Sequence, residues 1–227
     1  MIRKSIILLS GGLDSLASLA LAKEEYNITL ALTFNYGQKS AKQEIANSKK
    51  ICEHYKIEHK VVELNWLKEI TQTSLVSEKE IPFVQEKDLG SDEFVGNSAS
   101  SVWVPNRNGL FLNIAGCFAD SYSYDYIIFG ANKEEGQTFP DNTQDFIDKI
   151  NAEFEFSTQN HPKAIAPLIN FDKSDIVKIA IENSAPLELT RSCYSNFDKS
   201  CGVCESCVRL KRALEINNCE KIIRTLF

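Results

Sequence analysis

The chain has 227 residues, of which 43% are hydrophobic and 25% are charged, and its formal net charge is −6. These values are typical of a globular protein and exclude the low-complexity classes. The acidic balance argues against a protein that grips nucleic acid through its phosphates, so we expect no nucleic-acid partner.

The apolar run near the N-terminus stops at Gly11-Gly12, which is too early for a signal peptide or a membrane span. The chain has seven cysteines without a secretory signal, and this combination favours a reducing compartment. We therefore expect a cytoplasmic protein with no membrane partner.

Apolar runs alternate with segments of helical periodicity along the chain, and Asp172 is the expected N-cap of the last such segment. This alternation predicts an α/β fold with a doubly wound, Rossmann-like parallel sheet. We expect an α/β domain over residues 1–188 and a small helical region that carries the clustered cysteines over residues 189–227. The predicted strands are Ser5–Leu9, Ile28–Asn35, Lys60–Leu64, Tyr126–Gly130 and Lys163–Leu168. The predicted helices are Leu13–Glu25, Ala41–Tyr55, Arg107–Ser121, Thr143–Phe154 and Asp172–Asn183.

The acidic segment Ser77–Val104 has little periodicity and breaks the alternation. A segment of this length inside a compact domain is either a functional lid or poorly ordered.

A glycine-rich loop, Ser10-Gly11-Gly12-Leu13-Asp14-Ser15, joins the first predicted strand to the first predicted helix. Glycines let backbone N–H groups approach an anion, the helix N-terminus adds partial positive charge, and Ser10 and Ser15 offer hydroxyl donors. The loop lacks the lysine of a Walker A sequence and the three-glycine spacing of a dinucleotide fingerprint. We therefore predict phosphate binding of another kind, with an ordinary glycine turn as the alternative. The loop resembles the pyrophosphate-loop signature of the adenine nucleotide alpha hydrolase superfamily.

Four cysteines near the end of the chain, Cys193, Cys201, Cys204 and Cys207, have the spacing C-x7-C-x2-C-x2-C. Two overlapping C-x2-C turns can aim three thiolates at one point, and the fourth thiolate completes a tetrahedron. We predict a structural zinc ion, while an iron–sulfur cluster has the same ligand count and remains open.

Five further segments form a specific pattern together with the glycine loop and the cysteines: Phe34-Asn35-Tyr36-Gly37-Gln38, Val104-Pro105-Asn106-Arg107-Asn108, Phe139-Pro140-Asp141-Asn142, Pro167-Leu168 followed by Lys173, and Ser192-Cys193-Tyr194. From about residue 5 to about residue 214, this pattern resembles the 7-cyano-7-deazaguanine synthase family. Asn35 stands where that family commonly has Asp, Asn106 where it has Gly, and Asn142 where it has Cys.

The resemblance implies an ATP-dependent ligase that forms carbon–nitrogen bonds. Its substrates are 7-carboxy-7-deazaguanine and ammonia, and its product is 7-cyano-7-deazaguanine, a precursor of queuosine and archaeosine. In that reaction the carboxylate is adenylated, ammonia displaces AMP to give an amide, and a second activation dehydrates the amide to the nitrile. The implied cofactors are ATP, Mg²⁺ and one Zn²⁺ per chain, and a homodimer is left open.

The resemblance also implies roles for individual residues. As catalytic residues, Asp14 orients the loop or Mg²⁺, Arg107 binds a phosphate or the substrate carboxylate, and Lys173 balances charge on departing pyrophosphate. The predicted ATP-binding residues are Leu8, Leu9, Ser10, Gly11, Gly12, Leu13, Asp14, Ser15, Leu16, Ala17 and Ser18. The predicted substrate-binding residues are Phe34, Tyr36, Gln38, Arg107, Asn108 and Asp141.

Two other interpretations remain open from the sequence. A tRNA thiolation enzyme of the same superfamily also adenylates its substrate, but we expect it to use reactive cysteines and a basic face. A non-enzymatic zinc-ribbon interaction module would leave most of the chain without a function.

Overall fold

The structure is a computed structural model that describes residues 3–89 and 100–227. At its centre lies a five-stranded sheet in the order β3-β2-β1-β4-β5, whose neighbouring strands are all parallel. The predicted doubly wound α/β fold is therefore confirmed. The strands are β1 (Lys4–Leu8), β2 (Asn27–Asn35), β3 (Glu58–Glu63), β4 (Tyr126–Ile128) and β5 (Lys163–Ile165).

Helices follow or flank each strand. Asp172 caps the helix that begins at Lys173, as predicted, and accepts hydrogen bonds from the amides of Ser174 at 2.9 Å and Asp175 at 3.0 Å. The helices are α1 (Leu13–Ala22), α2 (Ala41–Tyr55), α3 (Asn65–Ile70), α4 (Arg107–Tyr122), α5 (Lys133–Gly136), α6 (Gln144–Ser157), α7 (Lys173–Glu182), α8 (Glu205–Ile216) and α9 (Glu220–Leu226). Single 3₁₀ turns span Glu86–Asp88, Pro140–Asn142 and Leu187–Leu189.

The sheet is apolar on both faces because both are covered by helices. Ile6 lies in the cluster that α4 and α6 cover, and its neighbour Ile7 lies in the cluster that α1 and α2 cover. Ile127 and Ile128 are divided between the same two clusters. This alternation explains why the strands read as continuous apolar runs.

A third apolar cluster joins the C-terminal helices to the beginning of the chain. Leu13 and Ala17 of α1 pack with Ile176 of α7 and with Leu210 and Leu214 of α8. The cysteine-bearing region thus shares a core with the helix that follows the glycine loop. The division of the chain at residue 188 stays a prediction.

The structure differs from the predicted elements mainly at strand ends. The β4 and β5 ladders stop at Ile128 and Ile165, although the apolar runs continue through Phe129 and Leu168. These later residues are buried by packing beyond the ladder, so burial extended the apolar pattern past the strands. The sequence also did not predict α3 and α5, which are short. Part of the predicted lid or poorly ordered segment, residues 90–99, lies outside the described residues.

No helix in residues 3–89 or 100–227 combines the length and apolar character needed to cross a membrane.

Helix α6 offers a matched test of the core. Phe154 is 1% exposed, whereas Phe156 on the same helix is 93% exposed. We expect Phe154→Ala to lower the free energy of unfolding by about 3–5 kcal/mol, because it leaves a cavity against α4. Phe156→Ala should change that free energy by no more than about 0.5 kcal/mol. Urea denaturation of both variants measures the difference, and equal losses would contradict the assigned packing of α6.

Candidate active site

The candidate site lies where the chain changes its winding direction. Strands β2 and β3 lie on one side of β1, and β4 and β5 lie on the other. A crevice at the carboxyl ends of strands on either side of such a switch point is the usual ligand site of doubly wound sheets. A cleft of about 230 Å³ opens here and is lined by the glycine loop, by Phe129-Gly130 after β4 and by Lys173.

The glycine loop has a fixed shape. Gly11 has a φ of 76°, and a Cβ at this position would lie 3.2 Å from the Glu44 carbonyl oxygen. The Ser15 hydroxyl donates to the Gly12 carbonyl at 3.0 Å, and the Ser10 and Ser15 hydroxyls are 3.3 Å apart. Positive φ and close packing both require glycine at position 11. The loop is therefore ordered before any ligand arrives.

Gly130 brings the end of β4 against this loop. A Cβ on Gly130 would lie 2.7 Å from the Ser15 amide nitrogen and 2.9 Å from the Asp14 carbonyl carbon. Real Cβ atoms do not approach so closely, so this contact requires glycine.

Gly11 packs against α2 without lining the cleft, and the other ten predicted ATP-binding residues divide into two groups. Leu16, Ala17 and Ser18 are completely buried, and Leu16 and Ala17 pack into apolar clusters. These three side chains anchor α1 in the fold and do not line the cleft. The cleft is lined by Leu8, Leu9, Ser10, Gly12, Leu13, Asp14 and Ser15.

Lys173 lies at the centre of a buried ionic cluster. Its Nζ is 2.5 Å from Asp14 Oδ2 and 2.9 Å from Glu135 Oε1, and its side chain is 10% exposed. The side-chain amide of Asn132 donates to Asp14 Oδ2 at 3.2 Å. The cluster thus joins the glycine loop to α5 and α7, and Lys173 is not a solvated surface lysine.

The cluster changes the acidity of its members. Burial acts to lower the pKa of Lys173, but Asp14 and Glu135 outweigh it and raise that pKa, so the side chain is a cation at neutral pH. Burial acts to raise the pKa of Glu135, but the Lys173 ammonium lowers it to about 2. Burial also raises the pKa of Asp14, against the opposing effect of Lys173.

A smaller chamber of about 70 Å³ adjoins the cleft, and Arg107, Glu135, Lys173 and Tyr194 line both spaces. Trp103 and Phe139 lie on the wall of the smaller chamber, with ring centroids 6.1 Å apart and ring planes 16° apart. Asp141 lines the same chamber, and burial raises the pKa of its carboxyl. The chamber therefore combines aromatic faces with the carboxyl groups of Glu135, Asp141 and Glu205.

The remaining predicted substrate residues form the wall between β2 and α4. Phe34 stacks on Phe111 with ring centroids 4.0 Å apart, and Tyr36 and Arg107 both line the cleft. Asn108 lines the cleft and donates to the Asp141 carbonyl at 3.4 Å. One face of the Phe34 ring is thus already covered by protein.

Gln38 mainly supports this wall. Its amide group donates to the Phe34 carbonyl at 3.0 Å and to Glu44 Oε2 at 2.9 Å, and its Oε1 accepts from the Tyr36 amide at 3.0 Å. Both amide protons are therefore used within the protein. A direct contact between Gln38 and substrate would depend on its carbonyl oxygen alone.

Local structure accommodates each of the three asparagines at which this chain departs from the family pattern. Asn106 has a φ of 49°, a left-handed conformation that asparagine adopts more readily than most residues. Asn35 Oδ1 accepts from the Gly37 amide at 3.1 Å, a contact that an aspartate can make equally well. Asn142 is buried and donates to Asp141 Oδ1 at 3.1 Å, so it orients that carboxyl group.

The four clustered cysteines converge as predicted. Their sulfur atoms lie within 4.8 Å of one another, and those of Cys201 and Cys207 are 3.9 Å apart. Four ligands at about 2.3 Å from one tetrahedral ion would be separated by about 3.8 Å. The amides of Cys201 and Ser195 donate to the Cys193 sulfur at 3.3 and 3.4 Å, as suits a thiolate. The donor set therefore fits zinc.

Comparisons with known proteins agree with this arrangement. The model of the family described as "Queuosine biosynthesis protein QueC" matches residues 4–218. The chain belongs to the QueC family.

Curated relatives named 7-cyano-7-deazaguanine synthase match nearly the whole chain. The protein from Methanosarcina barkeri is 50% identical over 216 residues, which cover 93% of this chain and 94% of the relative. The protein from Carboxydothermus hydrogenoformans is 51% identical over 211 residues, which cover 92% of this chain and 97% of the relative. The predicted family resemblance is confirmed.

Two solved structures share the fold. NMN synthetase from Francisella tularensis matches with a TM-score of 0.50 and 14% identity, and covers 99% of this chain and 82% of that chain. A 4-thiouridine synthetase, solved as an RNA complex with bound ATP, matches with a TM-score of 0.51 and 19% identity, and covers 99% of this chain and 50% of that chain. At these identities the likeness concerns the fold alone.

Sequence reasoning missed several residues that line the QueC site. Glu135, Glu44, Trp103 and Tyr194 all lie on its walls. Tyr194 was noted only as the neighbour of a cysteine, and Glu135 lies in a charged segment without a motif. The neighbour pair Glu134-Glu135, which follows an apolar strand, was the one available signal.

Gly11 and Gly202 provide a matched test of the loop, because their φ angles are 76° and 75°. An alanine at either position should cost about 1–2 kcal/mol through backbone strain. Only the Gly11→Ala side chain meets close neighbours, since the nearest atom at Gly202 is 3.7 Å away. We expect Gly11→Ala to shift the loop and to weaken ATP binding about tenfold or more. A loss of this size corresponds to one charge-assisted hydrogen bond.

Titration calorimetry measures the ATP affinity of both variants. Metal analysis verifies that Gly202→Ala still binds metal at the cysteine cluster. Equal ATP affinity in the two variants would contradict the assignment of the loop.

Proposed function

We propose that this QueC chain converts 7-carboxy-7-deazaguanine and ammonia to 7-cyano-7-deazaguanine at the expense of ATP. The observation that carries the proposal is the pair of adjoining chambers that share Arg107, Glu135 and Lys173. One chamber has the features of a phosphate site, and the other has those of a heteroaromatic site. The name of the relatives, 7-cyano-7-deazaguanine synthase, supports this choice of substrate.

In the cleft, ATP would direct its phosphates to the glycine loop and the N-terminus of α1. Backbone N–H groups and the helix dipole favour an anion there. Lys173 would supply a cation for the departing pyrophosphate, because its ammonium group is buried beside the loop.

Asp14 and Glu135 are the residues that would hold Mg²⁺. Asp14 Oδ1 is buried and has no hydrogen-bond partner among the described residues, and Glu135 lies on the same cleft wall. Carboxylate oxygens are suitable ligands for this hard cation. When bound, Mg²⁺ would neutralise phosphate charge.

In the smaller chamber, Trp103 and Phe139 would contact the deazaguanine ring, and Asp141 would accept hydrogen bonds from its amino-pyrimidine edge. Arg107 lies on the wall common to both chambers and would bind the substrate carboxylate or a phosphate. This placement would bring the carboxylate towards the α-phosphorus of ATP.

A carboxylate oxygen is a poor leaving group, so the substrate is activated by ATP before ammonia replaces that oxygen. A carboxylate oxygen attacks the α-phosphorus, the bond to the β-phosphate oxygen breaks, and pyrophosphate leaves. Ammonia attacks the acyl carbon, gives up a proton and displaces AMP, which leaves the amide. The amide oxygen attacks the α-phosphorus of a second ATP, with release of pyrophosphate and a proton. Loss of AMP and of the remaining nitrogen-bound proton then forms the nitrile. Binding both substrates side by side contributes by orientation.

The tRNA thiolation alternative lacks a suitable nucleophile. No cysteine of the described chain lines either chamber, and the four clustered cysteines are directed at one another. A sulfur-transfer step would need a thiol within reach of the adenylate. We therefore favour ammonia as the nucleophile.

With ammonia and ATP supplied, we expect the deazaguanine acid to cause release of AMP and pyrophosphate, and we expect neither product when the acid is omitted. The amide intermediate, supplied directly, should yield the nitrile without ammonia and with one AMP for each nitrile. Asp14→Ala should reduce both reactions strongly and should also lower the free energy of unfolding, because Lys173 loses one of its two carboxylate partners. Mass spectrometry and nucleotide chromatography measure the products, and release of ADP alone would reject adenylation.

We also propose one structural zinc ion per chain at the cysteine cluster. All four ligand positions are thiolates, so no position is left for a catalytic water. A multi-iron cluster would hold its sulfur ligands further apart, because iron atoms and sulfides lie between them. The short sulfur separations thus support a single ion.

Removal of one ligand by Cys204→Ser should loosen residues 190–212 before the sheet, since structural zinc contributes about 10–16 kcal/mol of apparent binding free energy in small peptides. Hydrogen exchange should rise around the cluster while β1 and β4 remain protected. Elemental analysis of the wild-type protein should find zinc, and iron with sulfide would overturn the metal assignment.

A further inference from the structure

Helix α8 carries a partly buried arginine whose guanidinium group pairs with Glu134 of α5. Arg209 lies on the helix that contains Cys207, and its side chain is 15% exposed. Its NH1 donates to Glu134 Oε2 at 2.7 Å, and its NH2 and Nε donate to Glu205 Oε1 at 3.0 and 3.1 Å. The guanidinium group therefore bridges two carboxylates.

Glu134 continues this connection to α7. Its second oxygen, Oε1, accepts from the backbone amide of Lys173 at 2.9 Å. Asp172 accepts from the next two amides, those of Ser174 and Asp175. The free N–H groups at the start of α7 are thus taken up by two carboxylates, a favourable arrangement at a helix N-terminus.

Adjacent residues of α5 hold the two ends of Lys173. Glu134 binds its backbone amide, and Glu135 binds its side-chain ammonium at 2.9 Å. The position of α5 therefore determines both the path and the direction of the Lys173 side chain. Arg209 is the direct ionic contact of α5 with the cysteine-bearing helix among the described residues.

We propose that Arg209 and Glu134 are positioning residues that couple the cysteine-bearing helix to Lys173. This inference rests on the proposed function, in which Lys173 meets the phosphates of ATP. Order in the metal region would thus set the alignment of Lys173 with the phosphates, although no cysteine contacts a substrate.

The test is a double-mutant cycle on ATP affinity. Arg209→Met should weaken ATP binding about tenfold, as expected when one charge-assisted contact is lost. In a Lys173→Ala background the same change should have little effect, because its influence passes through Lys173. Arg209→Lys should restore only part of the affinity, since an ammonium group cannot bridge two carboxylates as a planar guanidinium does.

Arg212→Met is the matched control on the same helix. Arg212 is half exposed and pairs with Glu86 at 3.7 Å, away from α5. This variant should bind ATP like the wild type. If Arg209→Met weakened ATP binding by the same factor in the wild type and in the Lys173→Ala background, its role would be generally structural and the proposal would be overturned.

Hydrogen exchange without ATP provides a second measurement, independent of the reaction. Exchange at the Lys173 amide should increase in Arg209→Met and stay unchanged in Arg212→Met, with one zinc per chain retained in both. Unchanged exchange at Lys173 in Arg209→Met would reject the coupling. If the wild type bound no ATP, the proposed function would fail, while this exchange experiment would still decide the coupling.

Discussion

The geometry of the site depends on the two ion pairs that the Lys173 ammonium group makes with Asp14 and Glu135. A buried charge is costly unless it is paired and hydrogen-bonded, and Lys173 meets this requirement only where Asp14 and Glu135 come together. Asp14 belongs to the glycine loop, Glu135 to α5 and Lys173 to α7, so three distant segments must meet around one nitrogen atom. A change in any of them would leave an unpaired charge in the interior.

The cysteine-bearing region is a second constraint on the same loop. The Arg191 amide donates to the Gly11 carbonyl at 2.7 Å, and the Leu13 amide donates to Ser192 Oγ at 3.3 Å. The Arg191 side chain is buried and donates to three backbone carbonyls between Cys193 and Cys201. The residues just before the first cysteine therefore join the cysteine cluster to the glycine loop.

The walls of the two chambers lie between these constraints. Asn142 orients Asp141, and Gln38 with Asn35 shapes the turn that holds Tyr36 towards Arg107. These polar contacts are satisfied within the protein, so the walls are formed in advance. Preorganised walls reduce the cost of ordering the site when ligands bind.

The sequence by itself determined the fold class, the loop and the cysteine cluster, because each depends on local signals. Apolar runs predict strands, glycines between a strand and a helix predict a close turn, and the cysteine spacing predicts a metal site. Only the tertiary structure decided which charges pair. The acidic pair Glu134-Glu135 and the i,i+4 spacing of Glu205 and Arg209 are local patterns, but neither identifies the partners that lie 38 and 75 residues away in sequence. Long-range pairing of charges is set by helix packing on the sheet, and periodicity along the chain does not encode it.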